Sequence, residues 1–496
     1  MSSHPHAPFD LAAAARGEMV HQGFHLGEPT GADAQLAAIE TAVATLKSDA
    51  SRKDLRALLW SSIDNDTSRD LDQIEWAERA ADGAGIRVLV AVADVSSAVP
   101  KDTPLDQFAA AQTQTVYTAV QNFPMLPNEL STGLTSLNVD QDRAAMVVEY
   151  TVDANGLPVN PSIYPALVRN QAQLAYSTTG PFLEGKPRPD GRVETKFSTN
   201  PALAAQLRLQ DEAAQRLHLQ RIAMGALDFN RVEADPVVID GKVQAIQALI
   251  HNRAAYLIEN FMIAANECMA VTLRNSGRSC LRRVVRSPER WARIVDLALT
   301  KGTHLPDVPD SAALNGFLQS QRAADLVHYP DLSLAIIKLM GPGEYVLAVG
   351  GEADPPGHFG LAALDYTHST APNRRFADLV TQRIVKAMLA NQPPPYTDAE
   401  LAAIAQHINE RTSATRKVER KMQKRVAAVA LASHVGQQYQ GVITGANPKG
   451  TFVRVFNPPV EGMVVHGAAG LDVGDTVSVT LSHTDPARAF IDFTHP

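Results

Sequence analysis

Four aspartates, Asp64, Asp66, Asp70 and Asp72, fall within nine positions, just ahead of the apolar segment RVLVAVADV at 87–95. An apolar run with so few breaks predicts a strand covered on both faces. Carboxylates crowded beside it repel one another. Two arrangements relieve that repulsion: a solvated acidic turn, or a site where a divalent cation neutralises the charge. Mg²⁺ is a hard ion that takes oxygen ligands and shares its sites with phosphates. The DxxxxxDxD spacing of Asp64, Asp70 and Asp72 suits it. On a loop entering a strand, Asp70 and Asp72 point the same way, and Asp64 can return to the same ion. Such a cation serves phosphodiester chemistry by polarising a phosphoryl oxygen and activating water.

A chain of 496 residues exceeds one ordinary core, so two to four domains are expected. Residues 1–52 read as a small helical accessory domain, with a helix over 32–46 whose apolar positions Leu36, Ile39, Val43 and Leu46 keep helical spacing. Both a helix-turn-helix and a simple packing pair fit it. Residues 53–432 read as one large α+β domain. Strands are predicted at 87–95 and 144–152, helices at 200–224, 253–274, 288–301, 377–391 and 400–433 (one or two), and a surface loop at 180–195. Residues 433–496 change to five short strands, predicted at 439–444, 451–456, 462–465, 476–482 and 489–493. They suggest a five-stranded OB-type barrel, a fold that binds oligonucleotides.

The net charge of −8 requires any phosphate-binding surface to be local. No apolar run approaches the ~18–20 residues of a membrane span, and MSSHPHAPFD lacks the pattern of a signal peptide. Cys268 and Cys280 are the only cysteines, without zinc-like spacing. Two buried, reduced thiols and a cytoplasmic location are the expectation.

Seven motifs, in one order, resemble the ribonuclease II (RNB) family of 3′→5′ exoribonucleases. They are SIDNDTSRDLDQ at 62–73, VAVADVSSAV at 90–99, TVYTAVQNFPMLPNELSTGLTSLN at 115–138, GALDF at 225–229, LIENFMIAANE at 257–267, HFGLA at 358–362 and YTHSTAPNRRFADLVTQR at 366–383. The resemblance implies a Mg²⁺-dependent hydrolase that shortens RNA from a single-stranded 3′ end, structured RNA included, and releases nucleoside 5′-monophosphates. A monomer is expected.

By the same resemblance, Asp64, Asp70 and Asp72 match the metal and catalytic carboxylates. The fourth family aspartate falls on Gln73, which is neutral and offers only a carbonyl oxygen, with Asp66 a candidate helper. That departure leaves open a second reading, a catalytically impaired RNA-binding paralogue. Tyr117 matches the tyrosine that stacks on the 3′-terminal base, and Phe229 its aromatic partner. Arg374 matches the arginine of the SPIRRY motif, here APNRRF at 371–376, and would stabilise the scissile phosphate. Arg375 and Asp378 are retained too, and for either arginine a pairing with Asp378 is the alternative. Tyr176 and Glu259 fall where the family contacts RNA sugars. Arg283 resembles the arginine of a LYRVH motif, with Val285 in place of His. The basic stretch 411–425 fits either a solvated helix or an RNA-facing one, and Glu419-Arg420 echoes an AER element. The C-terminal segment resembles the S-one-type RNA-binding domain, with Phe452 as a stacking aromatic, Lys449 where an aromatic is common and His466 one place off the usual histidine. The roughly 50 residues ahead of the catalytic stretch are too few for the two cold-shock OB domains common in the family, so a more open entrance is expected.

Overall fold

The apolar run forms the strand Ile86–Ala93, flanked antiparallel by Gln73–Arg79 and Asp142–Val152. A computed structural model describes residues 9–46, 51–188, 195–229, 233–239, 242–249, 251–326, 329–353 and 357–496. All but one residue of the central strand is buried. The fold is α+β. Six strands run in the order Lys53–Asp54, Pro158–Ala175, Trp60–Asp64, Gln73–Arg79, Ile86–Ala93, Asp142–Val152. Pro158–Ala175 is 18 residues long. It pairs antiparallel with Asp142–Val152 through its first part and parallel with Trp60–Asp64 through its last, so the sheet curls round to meet itself. The helices Pro201–Ala223 and Arg253–Asn275 pack together and onto this sheet. The amide of Gln206 clamps the free N–H and C=O of Ala77 at 3.1 and 2.6 Å.

Residues 438–494 close into a five-stranded barrel in the order Gln438–Asn447, Gly450–Val455, Glu461–His466, Phe490–Thr494, Thr476–Asp485. Its core is Val453, Val455, Val479, Leu481 and Phe493. The barrel is tied to the helix Tyr329–Met340 by ion pairs from Arg454 to Asp331 and from Lys338 to Glu461, the latter at 3.3 Å.

The helix Leu11–His21 lies on the long helix Asp398–Leu431, and Leu11, Ala15 and Met19 share a core with Val418, Met422 and Val426. This contact uses much of the basic 411–425 stretch. Lys421 reaches Glu18 at 2.7 Å, and Arg411 and Arg425 donate to the carbonyls of Gln22 and Ala14. The helix Ala32–Leu46 contributes Ala32 and Ile39 to the main core.

The predicted helices are present, and 400–433 resolves into one 34-residue helix opened by a capping box of Thr397 and Glu400. The predicted loop at 180–195 is shorter than expected. The helix Tyr176–Glu184 continues through Pro181, and residues 189–194 lie outside the described residues. Pattern reading passed over the strands Trp60–Asp64 and Pro158–Ala175, the hairpin Glu233–Ile239 with Lys242–Leu249, and the helices Ser311–Ala324 and Tyr329–Met340. Both cysteines are free and buried, as expected. Among the described residues, no helix is long and apolar enough to cross a membrane.

Candidate active site

Strand register assembles the acidic residues. Asp64 ends the strand Trp60–Asp64 and lies in parallel register with Ala175, which places Tyr176, the next residue, beside it. The chain then leaves the sheet for eight residues and re-enters at Gln73. Ser136 holds this loop from outside: its hydroxyl accepts from the Leu71 N–H and donates to the Arg69 carbonyl, both at 2.9 Å. Leu71 is fully buried, so its neighbours Asp70 and Asp72 are fixed on either side of an anchor.

The segment Ala371–Arg375 supplies the counter-charge. Asp378, fully buried, accepts from the Ala371 N–H at 2.8 Å and from both edges of the Arg375 guanidinium at 2.9 and 2.7 Å. The alternative pairing of an arginine with Asp378 is therefore realised by Arg375. Arg374 turns the other way. Its Nε lies 3.1 Å from Asp72 Oδ2, while Asp72 Oδ1 accepts from the Asn373 N–H at 2.9 Å. Residues 113–115 run alongside: the Thr115 N–H donates to the Arg374 carbonyl and the Phe376 N–H to the Thr113 carbonyl. That pairing delivers Tyr117, whose hydroxyl donates to Asp70 Oδ2 at 2.8 Å. Its ring stays 38% exposed.

Asp64, Gln73, Tyr176, Glu259, Arg374 and Arg375 all line one recess of about 270 Å³. Burial pushes the carboxyls of Asp64 and Asp72 up to about 7, against the pull of Arg374. Arg374 is itself held protonated well above its ordinary range by Asp72, Tyr117, Asp70 and Asp64, which outweigh its burial. It sits deep in the recess yet keeps 41% of its side-chain surface open. Glu75, fully buried, is raised well above the carboxylate range by burial and then by Asp64.

A cation would find oxygens here without other partners. Asp64 Oδ2 has no hydrogen-bond partner, and Asp72 Oδ2 has only the ion-pair contact with Arg374. Buried carboxylate oxygens in this state fit a hard divalent ion. Among the described residues, no three acidic, histidine or cysteine side chains already converge into a cage.

A second cavity, of about 790 Å³, opens beyond the recess and shares Glu259 with it. Phe229, Tyr256, Arg221, Arg283, Arg416 and the imidazoles of His218, His251 and His358 line it. Burial, with Arg283 adding, pushes His358 down to about 4, while Arg221, Arg283, Arg416 and Lys338 bring positive charge to this wall. Arg283 stacks over the Tyr345 ring at 4.8 Å, and its Nη1 has no hydrogen-bond partner.

Residues 52–391 match the RNB domain model, and 437–495 match the RNase II-type exonuclease C-terminal S1 domain. The chain belongs to the RNB family. It is 31% identical over 433 residues to ribonuclease R of Vibrio cholerae, covering 83% of this chain and 50% of the relative. To ribonuclease R of Aquifex aeolicus it is 29% identical over 469 residues, covering 89% and 64%. The chain thus spans about half the length of the first of these relatives. The apo form of Mycoplasma genitalium RNase R shares the fold with a TM-score of 0.84 at 22% identity, covering 98% of this chain and 78% of that one. Yeast Ssd1, described as a pseudonuclease, also shares it, with a TM-score of 0.66 at 16% identity over 88% of this chain and 52% of that one. The fold alone therefore does not decide catalysis.

Within the RNB domain, Asp64, Gln73, Tyr176, Glu259, Arg374 and Arg375 line the recess, while Asp72 joins it through its ion pair with Arg374, and Asp70 and Tyr117 pair with each other beside them. Phe229 and Arg283 stand in the outer cavity instead. Phe452 lies on the barrel, where Lys424 approaches its ring at 5.6 Å, and lines neither cavity. Sequence reading missed the Asn373 N–H, Ser136 and Glu75. Asn373 and Ser136 act through hydrogen bonds that only the fold brings together, but a glutamate inside an apolar strand, as in QIEWA at 73–77, was a readable signal.

Proposed function

We propose that this chain is a Mg²⁺-dependent hydrolytic 3′→5′ exoribonuclease that releases nucleoside 5′-monophosphates, acting as a cytoplasmic monomer on RNA with a single-stranded 3′ end. The observation that carries this reading is Arg374, which lines one recess with Asp64, stands 3.1 Å from Asp72 and feels the charge of the hydrogen-bonded Tyr117–Asp70 pair. Mg²⁺ held by Asp64, Asp70, Asp72 and the Gln73 carbonyl would polarise the phosphoryl oxygen and activate water. Arg374, fixed in place and always charged, stabilises the charge that develops on the phosphate. Tyr117, oriented through its hydroxyl, offers its ring to the 3′-terminal base, and Phe229 stacks on bases further out. Stacking accepts any base, as an enzyme that removes every nucleotide in turn requires. The cationic outer cavity leads the backbone inward past Glu259.

Gln73 favours one rival, a catalytically impaired RNA-binding protein that lost a carboxylate. Incubating RNA labelled throughout its phosphates with Mg²⁺, with EDTA and with added phosphate separates them. Nucleoside monophosphate that appears only with Mg²⁺ is the expected product. RNA bound but left intact in Mg²⁺ supports the rival, and diphosphate would indicate phosphorolysis.

A further inference from the structure

Gln73 leaves the recess one carboxylate short, and the same strand carries another. Residues 73 and 75 are two apart on Gln73–Arg79 and share a face. Their register partners, Val92 and Val90, are likewise two apart. That face looks toward the helix Arg253–Asn275, since Gln73 shares the recess with Ile258, Met262 and Ile263 of that helix. Glu75 therefore lies one step deeper than Gln73, beneath the floor of the recess. Asp64 and Tyr176 are within its electrostatic reach.

Glu75 has 0% exposure, and neither carboxylate oxygen has a hydrogen-bond partner. An unsatisfied buried carboxyl costs several kcal/mol in principle, and an apolar residue of similar size would be the more stable choice inside a sheet. No hydrogen bond explains it: Gln210 of the neighbouring helix bonds the Glu75 backbone carbonyl, not the side chain, and the buried Tyr150 hydroxyl, within electrostatic reach, is itself unpartnered. A group kept at such cost beside a carboxylate cluster points to a ligand that the cluster takes.

We propose that Glu75 supplies the fourth acidic group of the cation site in place of the aspartate missing at position 73. This rests on the Mg²⁺ reading above. The substitution moves the charge two residues along the strand and compensates with a longer side chain. Gln73 then remains a neutral oxygen donor between Asp64 and Glu75.

Calorimetric titration of Mg²⁺ and Mn²⁺ into the RNA-free full chain tests the proposal, with the melting temperature read with and without cation. Glu75→Gln is expected to weaken cation binding ~10–100-fold, the range for groups that support metal ligands. It should leave the cation-free melting temperature nearly unchanged, because a neutral buried acid is exchanged for a neutral amide of the same size. Glu75→Asp keeps the charge but withdraws its reach, and should weaken binding as well. Adding Gln73→Asp to Glu75→Gln should restore affinity. Cation binding that Asp72→Asn abolishes but both Glu75 variants leave unchanged overturns the proposal and spares the Mg²⁺ reading. Absence of cation binding in the unmodified chain, or binding indifferent to Asp72→Asn, overturns both. A Glu75→Gln chain that melts much lower without cation, with its cation-induced rise intact, makes Glu75 structural and also overturns the proposal.

Discussion

The recess sets buried carboxyls against arginines, whereas the outer cavity is richer in cations, and burial acts on the two in opposite ways. In the recess it raises the carboxyls of Asp64 and Asp72 to about 7, so their charge depends on pH and on a cation. In the outer cavity it lowers His358 to about 4, and Arg221, Arg283, Arg416 and Lys338 bring the positive charge. Arginine stays charged at any working pH. The contrast separates two tasks. On the proposed reading, chemistry combines the conditional charge of Asp64 and Asp72 with the permanent charge of Arg374, and capture rests on permanent charge alone.

The strongest way to break this division is Asp72→Asn. Mononucleotide release should fall ~10³-fold or more, as for loss of a core catalytic group, while RNA retention on a filter stays within about twofold of the parent. A parallel loss of binding would show that the recess also captures RNA. Arg374→Lys keeps one positive charge but loses the planar fork, and should lower kcat ~10²-fold with little change in KM. Phe229→Ala should act the other way round, weakening RNA binding by ~1–3 kcal/mol with a smaller effect on the single-turnover rate.

A pH series sharpens the comparison. Asp64 and Asp72 carry an ordinary value of 3.8 in the unfolded chain and about 7 in the fold. Between those values the folded state holds the extra protons, so stability falls as pH rises from about 4 to about 7. The cation-free chain should melt a few degrees lower at pH 8 than at pH 5.5, with added Mg²⁺ restoring it at pH 8. RNA capture in EDTA should stay nearly flat over the same range. Smallest of all, Arg283→Gln should reduce the slope of log affinity against log salt by somewhat less than 1 if Arg283 meets a single phosphate.

The residues of the recess were legible because they fall in dense local motifs, and the motif order carried them across more than 300 positions. Contacts between motifs were not legible. Nothing in the spacing of Asp70 and Tyr117 announces their hydrogen bond, because it depends on residues 113–115 pairing with 374–376. Trp60–Asp64 escaped notice because two buried serines break its apolar pattern, although both lie inside the sheet. Pro158–Ala175 was hidden by Pro161 and Pro165 and by exposed polar residues that alternate with buried ones. The two choices left open for the basic helix, solvent or RNA, missed a third user of its charge, the helix Leu11–His21. That pairing is non-local, and charge counts along one helix cannot reveal it.

This last contact has a practical side. Leu11, Met19 and Phe24 share one small core with Val116 and Phe123, which flank Tyr117 in its hairpin, and Arg16 reaches Gln121 of the same hairpin. The start of the chain is thereby a mechanical handle on the stacking tyrosine. A reporter or affinity tag joined directly ahead of Leu11 is expected to disturb that hairpin more than one joined after the barrel, so on the proposed reading the choice of fusion end bears on how the last nucleotide is held.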